Sequence, residues 1–470
     1  MTAPTDAPYK AVTPSATVPT APQASASPLR GLLASPGVEG QPLKGVYFFA
    51  GEGNAISPFY TAHPSDARDL HWDTNDATRP FVLQRIAATH ANTIVMSDWS
   101  IMPQWSPMTL TDESLHGVLY NAQDLPLVIM PALESGADPT SPSTPQWNFA
   151  DDFPRDVHGV FAPGLLQRID ELVVLFAGRM GQWAQLYDRT GAPRYAIHLL
   201  HVSSNRVTTD SEVVAAFGVV ASIVQAKYGI AIGFTLDTIP GGAYVPAPAT
   251  AGPLFAQSLV VLAVQGYASE VWSDAAHFDT ACLALPCPAV DFNGRVPEML
   301  AWKRQALSDW IASGVPVILD TSSGFDGRFV WRGIGFWGDN YDYTFDGWRN
   351  GLSQLKGGGV VGATFNTWNG YSEGYAAAPT IEHGTTIYDW LSDFYDADPR
   401  VCSHMQYVNG VRTHRVSGAI CEAWVASGGD TGPCGMPISE EEDASEGRRS
   451  RFAHGEVTWV GGVATVSCRP

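Results

Sequence analysis

The stretch from 195 to 237, YAIHLLHVSSNRVTTDSEVVAAFGVVASIVQAKYGIAIGFTLD, decides the fold. Its first run, Tyr195–His201, is β-branched and aromatic and reads as a strand. Thr209 and Asp210 are the N-cap choices for a helix over Ser211–Lys227, and Gly229 is its stop. Ile230–Asp237 then reads as a second strand. Strand, helix, strand in that order is the βα signature of an α/β protein.

Working outward, the same rhythm repeats. Further strands are expected over Val46–Phe49, Thr93–Ser97, Leu127–Met130, Val261–Tyr267, Val315–Asp320 and Val360–Asn366. The run at Val261 also reads as the end of a helix. Further helices are expected over Phe81–Ala88, Gly164–Trp183, Pro297–Ala312, Phe345–Leu355 and Thr386–Tyr395. In the helix from Pro297, Leu300, Leu307 and Ile311 recur at helical spacing. Eight strands with interleaved helices point to a (β/α)8 TIM barrel with long loops. The barrel is expected over residues 44–400. Residues 1–43, rich in Pro, Ala, Thr and Ser, read as an extended or disordered linker. Residues 401–470 read as a small, disulfide-stapled, mostly β module.

The cysteines carry the last point. Cys402, Cys421, Cys434 and Cys468 cluster in the C-terminal segment, while Cys282 and Cys287 lie in the barrel region. No CxxC pair and no zinc spacing occur among them, so neither a metal nor a cofactor is expected. Disulfides hold together domains too small to do so alone. The preferred pairing is Cys282–Cys287, Cys402–Cys421 and Cys434–Cys468, one of 15 possible arrangements.

The chain has 470 residues, 47 acidic against 27 basic, and a net charge of −20. That balance excludes a phosphate-backbone binder, so no nucleic-acid partner is expected. Charged residues make up only 16% of the chain, which fits a neutral polysaccharide better than a polyanion. No apolar run is long enough for a transmembrane helix. The start, MTAPTDAPYK, has no basic region followed by an apolar one, so it does not read as a signal peptide. The cysteines and the surface composition nonetheless suggest a secreted, cell-wall-associated or phage-borne monomer.

In a (β/α)8 barrel the active site lies at the C-terminal ends of the strands. The residues where the runs stop are Asp98 and Trp99, Glu134, His201, Asp237, Glu270 and Trp272, Asp320, and then Asn366, Trp368, Asn369, Tyr371 and Glu373. Carboxylate pairs are what glycoside hydrolysis requires, one as acid and one as base or nucleophile. Trp faces stack on the apolar face of sugar rings. The loop after the seventh run, Gly324 to Trp348, alternates aromatics such as Trp337 with Asp, Asn and Gly and reads as a sugar-binding wall.

The eighth run continues as Gly362-Ala363-Thr364-Phe365-Asn366-Thr367-Trp368-Asn369-Gly370-Tyr371-Ser372-Glu373-Gly374-Tyr375. This resembles a signature of (β/α)8-barrel α-glycan hydrolases, namely the fungal α-1,3-glucanases (mutanases) and the endo-α-mannosidase group. Trp368, Asn369, Tyr371 and Glu373 match. The family's first carboxylate is here Gly370. The resemblance implies that Glu373 is the catalytic acid or acid/base. The second carboxylate then comes from another strand, with Asp237, Glu134 and Asp320 best placed. Burial beside Trp368 and Tyr371 would raise the Glu373 pKa and hold its proton near neutral pH.

In the C-terminal segment, Cys434-Gly435-Met436-Pro437 stands with Gly428-Gly429, Phe452-Ala453-His454-Gly455 and Trp459. Residues 403–468 resemble an LGFP repeat. The resemblance implies a module that binds the mycolata cell envelope, where arabinogalactan is the expected ligand. Together the two resemblances imply a glycoside hydrolase acting on an envelope polysaccharide: arabinan, galactan, mannan or another α-glycan. The alternative is a glycan-binding or phage wall-attachment protein that has lost catalysis, as Gly370 suggests.

Overall fold

The computed structural model describes residues 26–49, 62–70, 78–98, 118–134, 163–200, 209–238, 246–265, 296–326, 336–337, 359–371, 374, 376–408 and 411–469. The strands, in chain order, are β1 (Leu43–Phe49), β2 (Thr93–Asp98), β3 (Val128–Glu134), β4 (Gln185–Tyr187), β5 (Pro193–Leu200), β6 (Ile232–Asp237), β7 (Val261–Gln265), β8 (Val317–Thr321), β9 (Phe325–Asp326), β10 (Phe336–Trp337) and β11 (Val360–Phe365). Eight of them pair in parallel in the order β1-β2-β3-β5-β6-β7-β8-β11, and β11 returns to β1. The sheet is a closed (β/α)8 barrel, and every strand run read from the sequence lies in it.

Among the described residues the helices include α1 (Arg79–Ala88), α2 (Pro163–Leu175), α3 (Asp210–Tyr228), α4 (Ala251–Gln257), α5 (Val296–Ala312) and α6 (Thr386–Asp396). In α3 the local signals agree with the outcome. Thr209 is the N-cap: its hydroxyl accepts from the Glu212 amide, and Glu212 accepts from the Thr209 amide, a capping box. Gly229 ends the helix at φ 76°, where only glycine is comfortable. Helix α2 stops short of the expected Trp183, because Gly178 turns the chain at φ 78°. The expected helix at 345–355 lies outside the described residues.

A parallel barrel buries both faces of each strand, and alternate residues divide the apolar side chains into two layers. Val46, Ile94, Ile129, Ile197, Phe234, Val264, Leu319 and Phe365 face the helices in the larger cluster. Tyr47, Val95, Met130, Ala196, Ala263 and Ile318 fill the interior.

The interior cluster also contains Leu32, Leu33, Val38 and Leu186, which belong to a seal across the N-terminal end of the strands. Leu33 bridges Leu186 of β4, and the Ala34 amide donates to the Gln185 carbonyl at 2.7 Å. Arg30 is 5% exposed and donates to the carbonyls of Ala256 (2.8 Å), Phe255 (2.9 Å), Val261 (3.2 Å) and Gly314 (3.4 Å). The linker expected up to residue 43 therefore extends too far. Residues 26–42 are folded, because Leu32, Leu33 and Val38 close the barrel bottom and Arg30 meets carbonyls at the C-terminal end of α4.

Strand β4 runs antiparallel to β5 through a tight turn centred on Asp188. The Asp188 carboxylate is 1% exposed and accepts from the Thr190 amide (2.8 Å), the Thr190 hydroxyl (2.6 Å), the Ala192 amide (3.1 Å) and Arg194 Nε (2.8 Å). Burial pulls this carboxyl upward, but the hydrogen bonds from Thr190, Arg194 and Ala192 outweigh it and hold the group below the usual range. A depressed carboxylate stabilises the fold above its ordinary pKa near 4, and the benefit is lost as pH falls through the lower folded value. Asp188→Asn is thus expected to cost about 2 kcal/mol at pH 7. The gap to the parent should close as pH drops below about 4. Denaturant titrations at pH 7, 5 and 3 check this, and a gap independent of pH counts against the charge.

The C-terminal segment holds β12 (Ser403–Val408), β13 (Val411–Ser417), α7 (Gly418–Ala426), β14 (Glu442–Ala444), β15 (Gly447–Phe452), β16 (Gly455–Val460) and β17 (Val463–Cys468). Strands β12 and β13 form a hairpin, and β14-β15-β16-β17 form an antiparallel meander. Disulfides join Cys402 to Cys421 and Cys434 to Cys468, as expected; Cys282 and Cys287 lie outside the described residues. The core is small: Trp424 stacks on Phe452 at 5.5 Å and donates from Nε1 to the Gly435 carbonyl at 3.0 Å. The disulfides close loops with sequence separations of 19 and 34. Loop-closure entropy gives each about 3–4 kcal/mol. Reduction is expected to unfold residues 401–470 while the barrel persists, seen as selective hydrogen exchange over that segment. Protection unchanged by reductant would show that the core suffices alone.

Candidate active site

The alternation that builds the barrel also aims the side chains at its C-terminal mouth. Leu236, Val264, Leu319 and Phe365 face the helices, so Asp237, Gln265, Asp320 and Asn366 face inward. These four stand on or just after the consecutive strands β6, β7, β8 and β11. All are buried, at 1%, 0%, 0% and 3% exposure. Asp237 and Gln265 are direct register partners, and Asp320 pairs with Thr364. Neighbouring strands lie about 5 Å apart, so the walls carrying Asp237 and Asp320 are separated by about 10 Å with Gln265 between them.

Beneath this arc lies a polar cluster inside the barrel. His198 Nδ1 is 2.8 Å from Thr235 Oγ1, and the His198 ring meets Tyr47 edge-on at 5.6 Å. Thr235 is one inward step below Asp237, and its hydroxyl also points at Met130 Sδ, 3.9 Å away. Sequence reading stepped past His198 to His201, and past Gln265 to Glu270 and Trp272. The signal that would have found them is parity: each is a polar residue inside an apolar run and shares the inward phase.

The segment after β11 is a built platform. Asn369 lies against β1, where its Oδ1 accepts from the Phe49 amide and its Nδ2 donates to the Phe49 carbonyl, both at 2.9 Å. The Trp368 amide donates to the Tyr47 carbonyl at 2.7 Å. Ala377 and Ala378 donate back to the carbonyls of Thr367 and Trp368, each at 2.9 Å. The peptide bond between Asn366 and Thr367 is cis. Trp368 is 1% exposed and packs edge-on to Tyr388, with the Arg85 guanidinium 5.7 Å from its ring. Arg85 is held by Asp69 at 2.7 Å. Burial raises the Asp69 carboxyl, against the pull of Arg85.

Three of the expected substrate-binding residues are packed into the fold in this way. Trp368 and Tyr371 belong to the apolar layer between barrel and helices, and Asn369 is committed to the Phe49 backbone. Buried as they are, Trp368 and Tyr371 brace the segment that leads up to Glu373. Glu373 itself, His201, Trp99, Glu270 and Trp272 lie outside the described residues. Asp98 and Glu134 end β2 and β3, and Trp337 ends β10, paired with Phe325 of β9. Among the described residues no group of three or more His, Cys, Asp or Glu could hold a metal ion. No described helix is long and apolar enough to cross a membrane.

No family model matches this chain, and no curated protein matches it. Solved structures with similar folds include one described as a glycoside hydrolase-like protein, with a TM-score of 0.49 at 10% identity over 76% of this chain and 94% of that one. The GH99 endo-alpha-mannosidase of Bacteroides thetaiotaomicron has a TM-score of 0.43 at 10% identity, over 75% of this chain and 96% of that one. The exo-beta-1,4-mannosidase of Opitutaceae bacterium strain TAV5 has a TM-score of 0.42 at 12% identity, over 77% of this chain and 60% of that one. The barrel assignment rests on the strand order above.

Proposed function

We propose that this protein is a glycoside hydrolase that cleaves a neutral envelope polysaccharide. The observation that carries the reading is the pair of buried carboxylates, Asp237 and Asp320, facing inward at the mouth of a (β/α)8 barrel. Glu373 serves as the acid that protonates the glycosidic oxygen. Asp237, Asp320 or Glu134 stays ionised and either activates water or attacks the anomeric carbon. A carboxyl separation of about 5–5.5 Å makes the enzyme retaining, and one of about 6.5–9.5 Å makes it inverting. Arabinan, galactan and mannan are the substrates favoured by the LGFP-like composition of residues 403–468, which then hold the enzyme on the wall.

The test is product release. The parent and Glu373→Gln are incubated with purified arabinogalactan, lipoarabinomannan and α-glucans, and released oligosaccharides are measured. Release by the parent and not by the variant supports the reading. Equal release sinks the role of Glu373, and binding without release favours a lectin.

A further inference from the structure

At the mouth, one side chain is out of keeping with its surroundings. Gln265 is 0% exposed, and neither its Oε1 nor its Nε2 has a hydrogen-bond partner among the described residues. A buried primary amide with both ends unmatched is costly, because its desolvation is not repaid. The amide faces inward, since Val264 before it faces the helices, and it stands between the strands that carry Asp237 and Asp320. Two more buried hydroxyls without partners follow the next two strands, Ser323 after β8 and Thr367 after β11.

We infer that Gln265 is a ligand-binding residue whose amide takes a pair of adjacent hydroxyls from a neutral sugar. The chemistry follows from the inventory. The amide offers one acceptor and one double donor side by side, which complements a vicinal diol, in which one hydroxyl donates and the next accepts. Ser323 adds a hydroxyl able to do either. The flanking carboxylates of Asp237 and Asp320 repel an anion. Among the described residues no Lys or Arg ends a barrel strand. The inference rests on the hydrolase reading only in taking the sugar to be a substrate. The binding itself stands apart from cleavage.

The test uses Gln265→Met in the full chain, with two readouts that should move in opposite directions. Removing an unmatched amide is expected to raise the melting temperature of the free protein by about 2–5 °C. The same change is expected to weaken binding of the methyl glycosides of mannose, glucose, arabinose and galactose, titrated calorimetrically, by at least about tenfold. Ser323→Ala should weaken binding in the same direction with little effect on melting, and it serves if the first variant folds poorly. A lower melting temperature for Gln265→Met, in a variant that folds, means the amide is matched in the native state and overturns the inference. Unchanged glycoside affinity in both variants, or a parent that binds none of the four, overturns it as well. A parent that binds through Gln265 but releases no oligosaccharide removes the hydrolase reading and leaves the site standing. Cleavage with affinity indifferent to Gln265 does the reverse.

Discussion

Replacing Arg30 with methionine is expected to lower the unfolding free energy by about 3 kcal/mol or more. Methionine keeps most of the aliphatic stem, so the loss reports the guanidinium. That group is buried under the barrel and shares its protons among four carbonyls, two at 2.9 Å or less. Burial, with the nearby Arg189, pushes its pKa down to about 10, against the pull of Asp188, so it remains charged at neutral pH. Without it, the Ala256 carbonyl loses its 2.8 Å partner and the Phe255 carbonyl keeps only the Ser258 amide. Arg30→Lys should recover only part of the loss, because an ammonium cannot span the same fork. Urea titration measures the change, and limited proteolysis between residues 26 and 42 locates it. A difference below about 1 kcal/mol would mean that the seal contributes little.

The second large effect is chemical. Under the proposed mechanism, Asp237→Asn is expected to reduce kcat by about 10²–10⁴. Asparagine preserves the shape and most of the hydrogen bonding but cannot take a proton or form a glycosyl ester. The melting temperature should change little, and glycoside binding through Gln265 should persist. If kcat falls less than tenfold, Asp237 is not the partner, and Glu134→Gln becomes the deciding variant.

The barrel was legible because each of its strands is a short apolar run bounded by turn or helix signals. The α3 unit shows why: Thr209, Glu212 and Gly229 each act locally, and tertiary packing agrees with them. Two kinds of feature were not legible. Helix α4 has only seven residues, too few for a helical period to emerge. The seal was hidden because residues 26–42 have a linker's composition; Leu32, Leu33 and Val38 gain much of their packing from distant chain, as where Leu33 bridges Leu186. For the candidate site, the strand ends were placed closely enough to set Asp237, Asp320 and Asn366 at the mouth of the barrel. Reading β7 on to Tyr267 and β5 on to His201 moved attention beyond Gln265 and His198. Trp368 and Asn369 were correctly singled out as unusual, but sequence alone does not separate a ring that stacks on a ligand from one that holds up the loop.

The seal also has a consequence in time. Arg30 emerges from the ribosome early, but its partners lie up to 284 residues further on, at Gly314. At about 5–20 residues per second, that is about 15–60 s of synthesis during which this segment has nothing to close. Its cation gains its partners at Phe255 and Ala256 only late in that interval. Arg30 is thus among the last of the early residues to complete its contacts, and a nascent barrel halted before residue 314 lacks one of the carbonyls that hold it.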